Sequence, residues 1–564
     1  MRIALTAAAL LALVSSLPAQ EFDFNVTKMA RLEQHHKYSN IWGWSAPDGR
    51  EYAIMGETDG TVIINATDPL NPYEVAYFPG THCMWRECKA RGQYVYVVND
   101  CAGGVLVIDM SDPEHPVIAN EFGMSFFQHA HTVQIDMQTG KLYADGTAQG
   151  MVIYDLAVDP VDPPYVTKWK GQGLSGVNGY VHDIYIKDGV AHAGLIYDGL
   201  YVLLDVSQLP AISVLGSKLS GAEFTHSTWT TEDGQYALVA DEKGGKRNLE
   251  MWDVSDPTNL KAVANLSQGP NTVGHNPYIR GHIAHVSYYK RGYLAFDVSD
   301  PTNPVKIGEY DTTPDGNEIV MIAGAWGVYP FAPSGFIYVS DIHKGFYLLK
   351  LNPSCPPDPS GRPVLCEVWP NKVSTAGQAA PKVLLTGGGM QSVTAVHVGP
   401  VTLAPGEFTA LDDQVLAFSM PALAQTGLVA VTVENAQGAS DPLQLPLQVP
   451  GGPELDSGTS HVAVGGSITH VMDSDAGDLQ FLALSLDPSP SHAPKVDFAI
   501  GAGFSSLVLF PPLVAGPDGV TQLPPLVVPA AGAGLTVYWQ FAALPAVPSG
   551  PAPVSNVTIS VLQP

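Results

Sequence analysis

At 564 residues the chain exceeds what a single hydrophobic core can fill, and an apolar content of 45% is enough for several packed cores. Only 14% of residues are charged and acids outnumber bases 54 to 27, so the net charge of −27 argues against nucleic acid and anionic membrane as partners. An acidic, weakly charged chain rich in Gly and Pro has the composition of a secreted protein.

The first 19 residues read as a signal peptide. Met1-Arg2 gives a positive start, residues 3–14 an apolar stretch, and residues 15–19 a small-residue exit with cleavage expected after Ala19. No later segment reaches the roughly 18 uninterrupted apolar residues of a membrane span, so no transmembrane anchor is expected.

From residue 20 to 351 two repeats run together. In the first, Gly, a run of β-branched or aromatic residues, an acid and a proline turn recur seven times. Examples are residues 60–65 with Asp68-Pro69, 104–109 with Asp112-Pro113, 150–155 with Asp159-Pro160 and 292–297 with Asp300-Pro301. The apolar run suits a buried strand, and Asp-Pro ends it, because the carboxylate bonds backbone amides and the ring fixes φ. The seventh unit lacks its last strand, and residues 26–33 have that strand's character; the sequence therefore predicts closure by the N-terminus.

In the second repeat a histidine opens a strand-like run at His82, His131, His182, His226 and His275, at intervals of 49, 51, 44 and 49 residues. A period of roughly 40–50 residues with about four strands per unit is that of a propeller blade. The expected fold is all-β: a seven-bladed β-propeller closed by an N-terminal strand, followed by two Ig-like or β-sandwich domains.

The repeated Ile/Leu-Val-Ile-Tyr/Val-Asp step, with residues 40–44, His182-Asp183, Thr225-His226, residues 240–242, 324–330 and 339–342, resembles the LVIVD-repeat proteins of the choice-of-anchor B family. That resemblance implies an exported bacterial β-propeller, carried on different surface anchors in different relatives. The departure here is that no anchor motif is evident.

Residues 352–365 form a Pro-rich linker. Residues 366–450 alternate as half-buried strands do and resemble an IPT/TIG Ig-like domain, which implies spacing or binding. Residues 451–564 read as a C-terminal β-sandwich. All five cysteines follow the signal segment, so disulfides are permitted. A hairpin would bring Cys83 beside Cys101, and a small loop would join Cys355 to Cys366, leaving Cys88 free and buried.

If the histidines open the innermost strands, five imidazoles meet at one mouth of the channel. Trp42 or Trp44 and Trp326 would stand at the matching phase of the first and seventh blades as a ligand wall. The ends of the second strands add Glu57, Asp100, Asp145, Glu242, Tyr289 and Asp341. Neutral imidazole with carboxylate suits a divalent metal: zinc, iron, manganese or copper. The expected ligands are His82, His131, His182, His226, His275, Asp100, Asp145 and Glu242, with His129, His282 and His285 as neighbours. Asp183, on the other face of its strand, is a poorer candidate.

Two functions follow from these residues. One is a monomeric, secreted or surface binding platform for an extracellular ligand, protein or glycan. The other is a metal-dependent hydrolase in which Glu57 or Glu242 acts as general base. The competing explanation is a structural hydrogen-bond network of His with Ser/Thr, Trp and Asp.

Overall fold

The structure is a computed structural model. It describes residues 23–448 apart from 270–271, 315–322, 354, 356–357, 371–372, 375–380 and 424–426; beyond 478 it describes only strand segments. The proposed signal segment lies outside the described residues.

Between residues 23 and 351 the chain folds into antiparallel four-stranded sheets, each a meander. Their first strands are Tyr38–Ser45, Arg86–Arg91, Thr132–Asp136, Asp183–Lys187, Thr225–Thr230, Asn276–Arg280 and Ala325–Tyr329. These strands lie side by side in chain order, and Ala325–Tyr329 lies against Tyr38–Ser45. The fourth strand of the last sheet is Val26–Leu32, which pairs antiparallel with Gly345–Leu351. Asp23–Phe24 adds a fifth strand to the sixth sheet through Val305–Tyr310. The arrangement is all-β and is that of a β-propeller.

The repeated residues build these sheets as their chemistry requires. Asp68 Oδ1 accepts from the Leu70 amide at 3.0 Å, and Asp256 and Asp300 Oδ1 accept from the Thr258 and Thr302 amides at 2.9 Å. The acids of the repeat are thus turn-builders. The leading glycine has its own reason. Gly292 and Gly345 hold φ of 75° and 85°, and a Cβ would stand 2.1 Å from the Tyr310 carbonyl oxygen and 2.2 Å from that of Leu32. Only glycine lets the fourth strand approach there. Aliphatic faces of successive sheets then pack together, as with Val98, Val107, Val133 and Leu142 between the second and third.

Residues 364–448 form two further sheets around Val383, Leu385, Phe418, Val396, Val431 and Val433. This unit is docked on the propeller. Leu384, Val415 and Ala417 join the core of Phe336, Tyr338 and Phe346, and Gln414 Nε2 donates to Asn25 Oδ1 at 2.9 Å. In the last region Leu479–Ser485, Thr536–Leu544 and Val554–Val561 pair antiparallel; most of 451–564 lies outside the described residues. Cys83 is bonded to Cys101 and Cys355 to Cys366, while Cys88 is free and buried.

Candidate metal centre

Four histidines stand at the starts of neighbouring inner strands. The His131, His182 and His275 amides donate to Asp145, Gly194 and Ser287 carbonyls on the second strands of their own sheets, at 2.8, 2.8 and 3.0 Å. Hydroxyls one residue further on reach the next sheet: Thr132 Oγ1 donates to the His182 carbonyl at 2.7 Å and Ser227 Oγ to that of His275 at 2.5 Å. A structural network of the expected kind therefore exists. It runs through backbone, hydroxyls and the Nδ1 atoms of His131 and His275, and it leaves the rings facing one another.

The rings form an arc, with centroids 4.3 Å apart for His131–His182 and 4.2 Å for both His182–His226 and His226–His275. Glu242, just past the strand Tyr236–Asp241, closes the inner side. Its Oε2 is 3.8 Å from His226 Nε2 and its Oε1 is 3.8 Å from His275 Nε2. The Tyr289 hydroxyl donates to Oε1 at 2.5 Å and holds the carboxylate in place. Ligand atoms of His182, His226 and Glu242 all lie within 4.8 Å of one another. This His/Glu cluster is capable of coordinating a divalent metal.

The outer nitrogens orient the rings. His131 Nδ1 is 2.9 Å from Asp100 Oδ2, and His275 Nδ1 is 2.5 Å from the Trp326 carbonyl oxygen. The Nδ1 atoms of His182 and His226 are buried without a hydrogen bond of good geometry, although weak bonding to the backbones of His226 and His275 raises the two rings' pKa values slightly against the effect of burial. For His131 and His275, anchoring through Nδ1 leaves Nε2 as the free ligand atom.

Burial, reinforced by the neighbouring imidazoles, holds His182 and His226 well below the usual histidine range, and burial pushes His275 down to about 3. These rings are neutral at physiological pH, the form that binds metal. For His131 burial also acts downward, but the bond to and charge of Asp100 outweigh it and its pKa is raised. Burial raises Glu242, with the Tyr289 bond opposing.

The space among Trp85, His131, His182, His226, His275 and Trp326 is about 10 Å³, room for one ion or water.

Several expected site residues stand elsewhere. His82 is exposed, with Nδ1 2.6 Å from Asp59 Oδ1; the loop before the second inner strand is pinned outward by Cys83, and the strand begins only at Arg86. Trp85 takes its place at the mouth. Glu57 Oε2 accepts from the Asp59 amide at 2.8 Å and the Tyr77 hydroxyl at 3.0 Å, so it belongs to the first sheet's framework. Asp145 is fully buried with neither carboxylate oxygen hydrogen-bonded; burial, with Asp183 and Glu87 nearby, raises its pKa well above normal. It is not part of the cluster.

Trp44 is buried between sheets against Tyr52, with Nε1 donating to the Gly92 carbonyl. Trp42 faces the channel at its opposite end, while Trp326 does stand at the ring, 5.0 Å from His275. His285 is a framework residue, 2.7 Å from the Tyr293 hydroxyl, as is His192, 2.6 Å from that of Tyr201. His129 shares Asp100 with His131. Asp341 is a turn residue that accepts the Thr312 hydroxyl.

Sequence reasoning missed a charged layer below the ring. Lys89 and Glu87 form an ion pair, with side chains 3% and 11% exposed, and Asp183 lines the same part of the channel. Burial and then Glu87 raise Asp183 to about 7, with Lys89 opposing. The alternation Glu87, Lys89 within the second inner strand was the available signal.

The LVIVD repeat matches residues 86–122, 233–267 and 279–312. The first of these is the whole second sheet, from Arg86 to Phe122. No curated protein matches the chain. Among solved structures, the crystal structure of the Cps50 (Swd1) β-propeller domain of Myceliophteria thermophila is similar, at 11% identity and a TM-score of 0.40, over 57% of this chain and 99% of that one. The chain carries an LVIVD-repeat β-propeller region whose channel mouth holds a His/Glu cluster.

Proposed function

We propose that the chain is a secreted or cell-surface member of the choice-of-anchor B group, whose sheets close into a seven-bladed propeller and hold a divalent metal at the channel mouth. His182, His226 and Glu242 are its central ligands, flanked by His275 and His131, with Asp100 and Tyr289 as orienting partners. The observation that carries this reading is that the His182, His226 and Glu242 ligand atoms lie within 4.8 Å of one another. Neutral nitrogen and carboxylate donors of this kind fit zinc, iron, manganese or copper.

The ion is read as the resident metal of a binding platform. Residues 366–450 serve as an IPT/TIG-like module fixed to the propeller, with a further sandwich after it.

The test is elemental analysis of the full chain after reconstitution with each metal in turn. One equivalent is expected in wild type and none in the His182→Ala/His226→Ala variant. A metal-free wild type, or a variant that keeps its metal, refutes the site. Turnover of ester, phosphate or glycoside substrates that is lost with the metal would favour the hydrolase.

A further inference from the structure

The inner strands that begin at the histidines end at a second concavity, of about 440 Å³. That is within the usual range of small-ligand sites. Its wall is aromatic: Trp42, Tyr185 and Trp229 line it, each half-buried. Behind them the rings form one packed group. Tyr185 and Trp229 centroids are 3.8 Å apart, Trp229 is 4.9 Å from Tyr278 and 5.5 Å from Phe331, and Trp42 is 5.8 Å from Tyr278. Such a wall is rigid and presents ring faces and edges to an occupant.

The polar groups are already engaged. Lys89 is paired with Glu87 beneath the wall, and Lys187 Nζ is 3.5 Å from Asp188 Oδ2. Gln134 is held by its bonds to the Ile184 carbonyl and Ile135 amide, and Asp136 is fixed by the Gln138 amide. Each cation at the pocket thus has its own acid, so nothing selects an anion. A cationic ligand is disfavoured too, because the Lys89 ammonium already lies 4.5 Å from the Trp42 ring centre. What matches an aromatic wall whose charged groups are already engaged, the cations by acids and Asp136 by the Gln138 amide and the Thr139 hydroxyl, is a neutral ligand that has apolar faces and many hydroxyls.

We infer that this end of the channel, lined by Trp42, Tyr185, Trp229 and Gln134, binds a neutral saccharide unit of an extracellular glycan, stacked on the aromatic wall. The inference concerns the end opposite the histidines and does not rest on a bound metal.

The test is titration of the full chain with maltotriose, cellotriose and mannotriose, followed by tryptophan emission and calorimetry, with choline and trigalacturonic acid as charged controls. At least one neutral trisaccharide is expected to bind. Tyr185→Ala should weaken it about tenfold or more. Met137→Arg should do the same by filling the mouth from a residue that is 62% exposed and free of any core role. Metal content should be unchanged in both variants. The inference is overturned if no neutral sugar binds at about 10 mM, if a charged control binds more tightly than all of them, or if binding survives Met137→Arg undiminished.

Discussion

Replacing His226 by Leu should change sign with metal. In the metal-free protein the imidazole is buried and neutral, and its Nδ1 has only a poorly aligned contact with the His275 backbone. Such a group costs roughly 1–3 kcal/mol, so a similarly sized apolar side chain is expected to be neutral or stabilising by about 1 kcal/mol. With metal present at about 1,000 times its dissociation constant, wild type gains about 4.1 kcal/mol. Loss of one ligand weakens the site at least as much as loss of an orienting partner, up to about 100-fold, and leaves a gain of only about 1.4 kcal/mol. The variant-minus-wild-type difference should therefore swing by about 2.7 kcal/mol between the two conditions. Urea unfolding with chelator or with zinc measures it, followed by tryptophan emission, to which residues 20–351 contribute seven of the nine tryptophans. An equal difference in both conditions would refute the assignment of His226 as a ligand.

His285 offers a pH test away from the metal. Burial lowers its folded-state pKa to about 3, so between about 3 and 6.5 the unfolded chain binds more protons and stability rises with pH. The ring's contribution is lost as pH falls through that window, by about 2 kcal/mol at about pH 5. The destabilisation caused by His285→Phe, measured by urea unfolding, should shrink by that amount between about pH 7.5 and 5; no change would mean the ring is not held neutral. Lys89→Met should cost about 3–5 kcal/mol, since it strands Glu87 and Asp183 without their cation, and Glu87→Gln in the same chain should recover much of it. Cys83→Ser/Cys101→Ser opens a loop with a sequence separation of 18 and should cost about 3 kcal/mol, read as a lower Tm. Glu57→Gln should leave metal content at the wild-type value, because its carboxylate serves the Asp59 amide and Tyr77; loss of metal would return Glu57 to the site.

The sheets were legible because each repeat carries its own stop signals, and the Asp-Pro turns fall where the carboxylates cap backbone amides. His131, His182 and His275 were legible for the same reason: each immediately precedes an inner strand, so the period of the sheets fixes its depth. His82 keeps the interval but not the depth. The loop that holds it is tied outward by Cys83, whose amide donates to the Thr58 carbonyl, and three residues pass between it and the start of the strand. Trp42 and Trp44 failed on position along the strand. Both lie in the second half of the eight-residue strand Tyr38–Ser45, far from the histidine end, and residue type does not report that depth. Glu57 failed because its partner Tyr77 belongs to the fourth strand of the sheet, a contact that no local pattern encodes.

The distribution of histidines decides where an ion would sit. If all inner strands contributed imidazoles, the donors would surround the channel and none would be favoured. Here the rings occupy four neighbouring sheets at spacings of 4.2–4.3 Å, while Trp85 and Trp326 stand at the remaining edges. Among the described residues Glu242 supplies the carboxylate that lies 3.8 Å from both His226 and His275, and Tyr289 fixes it there. The donor set is therefore off-axis, centred on the fifth sheet, with apolar rings flanking it. Below it the Lys89–Glu87 pair and Asp183 fill the middle of the channel, so the two ends are separated by buried charge. One inner strand thus presents nitrogen donors at its start and aromatic faces at its end, and the two chemistries can be altered independently by mutation.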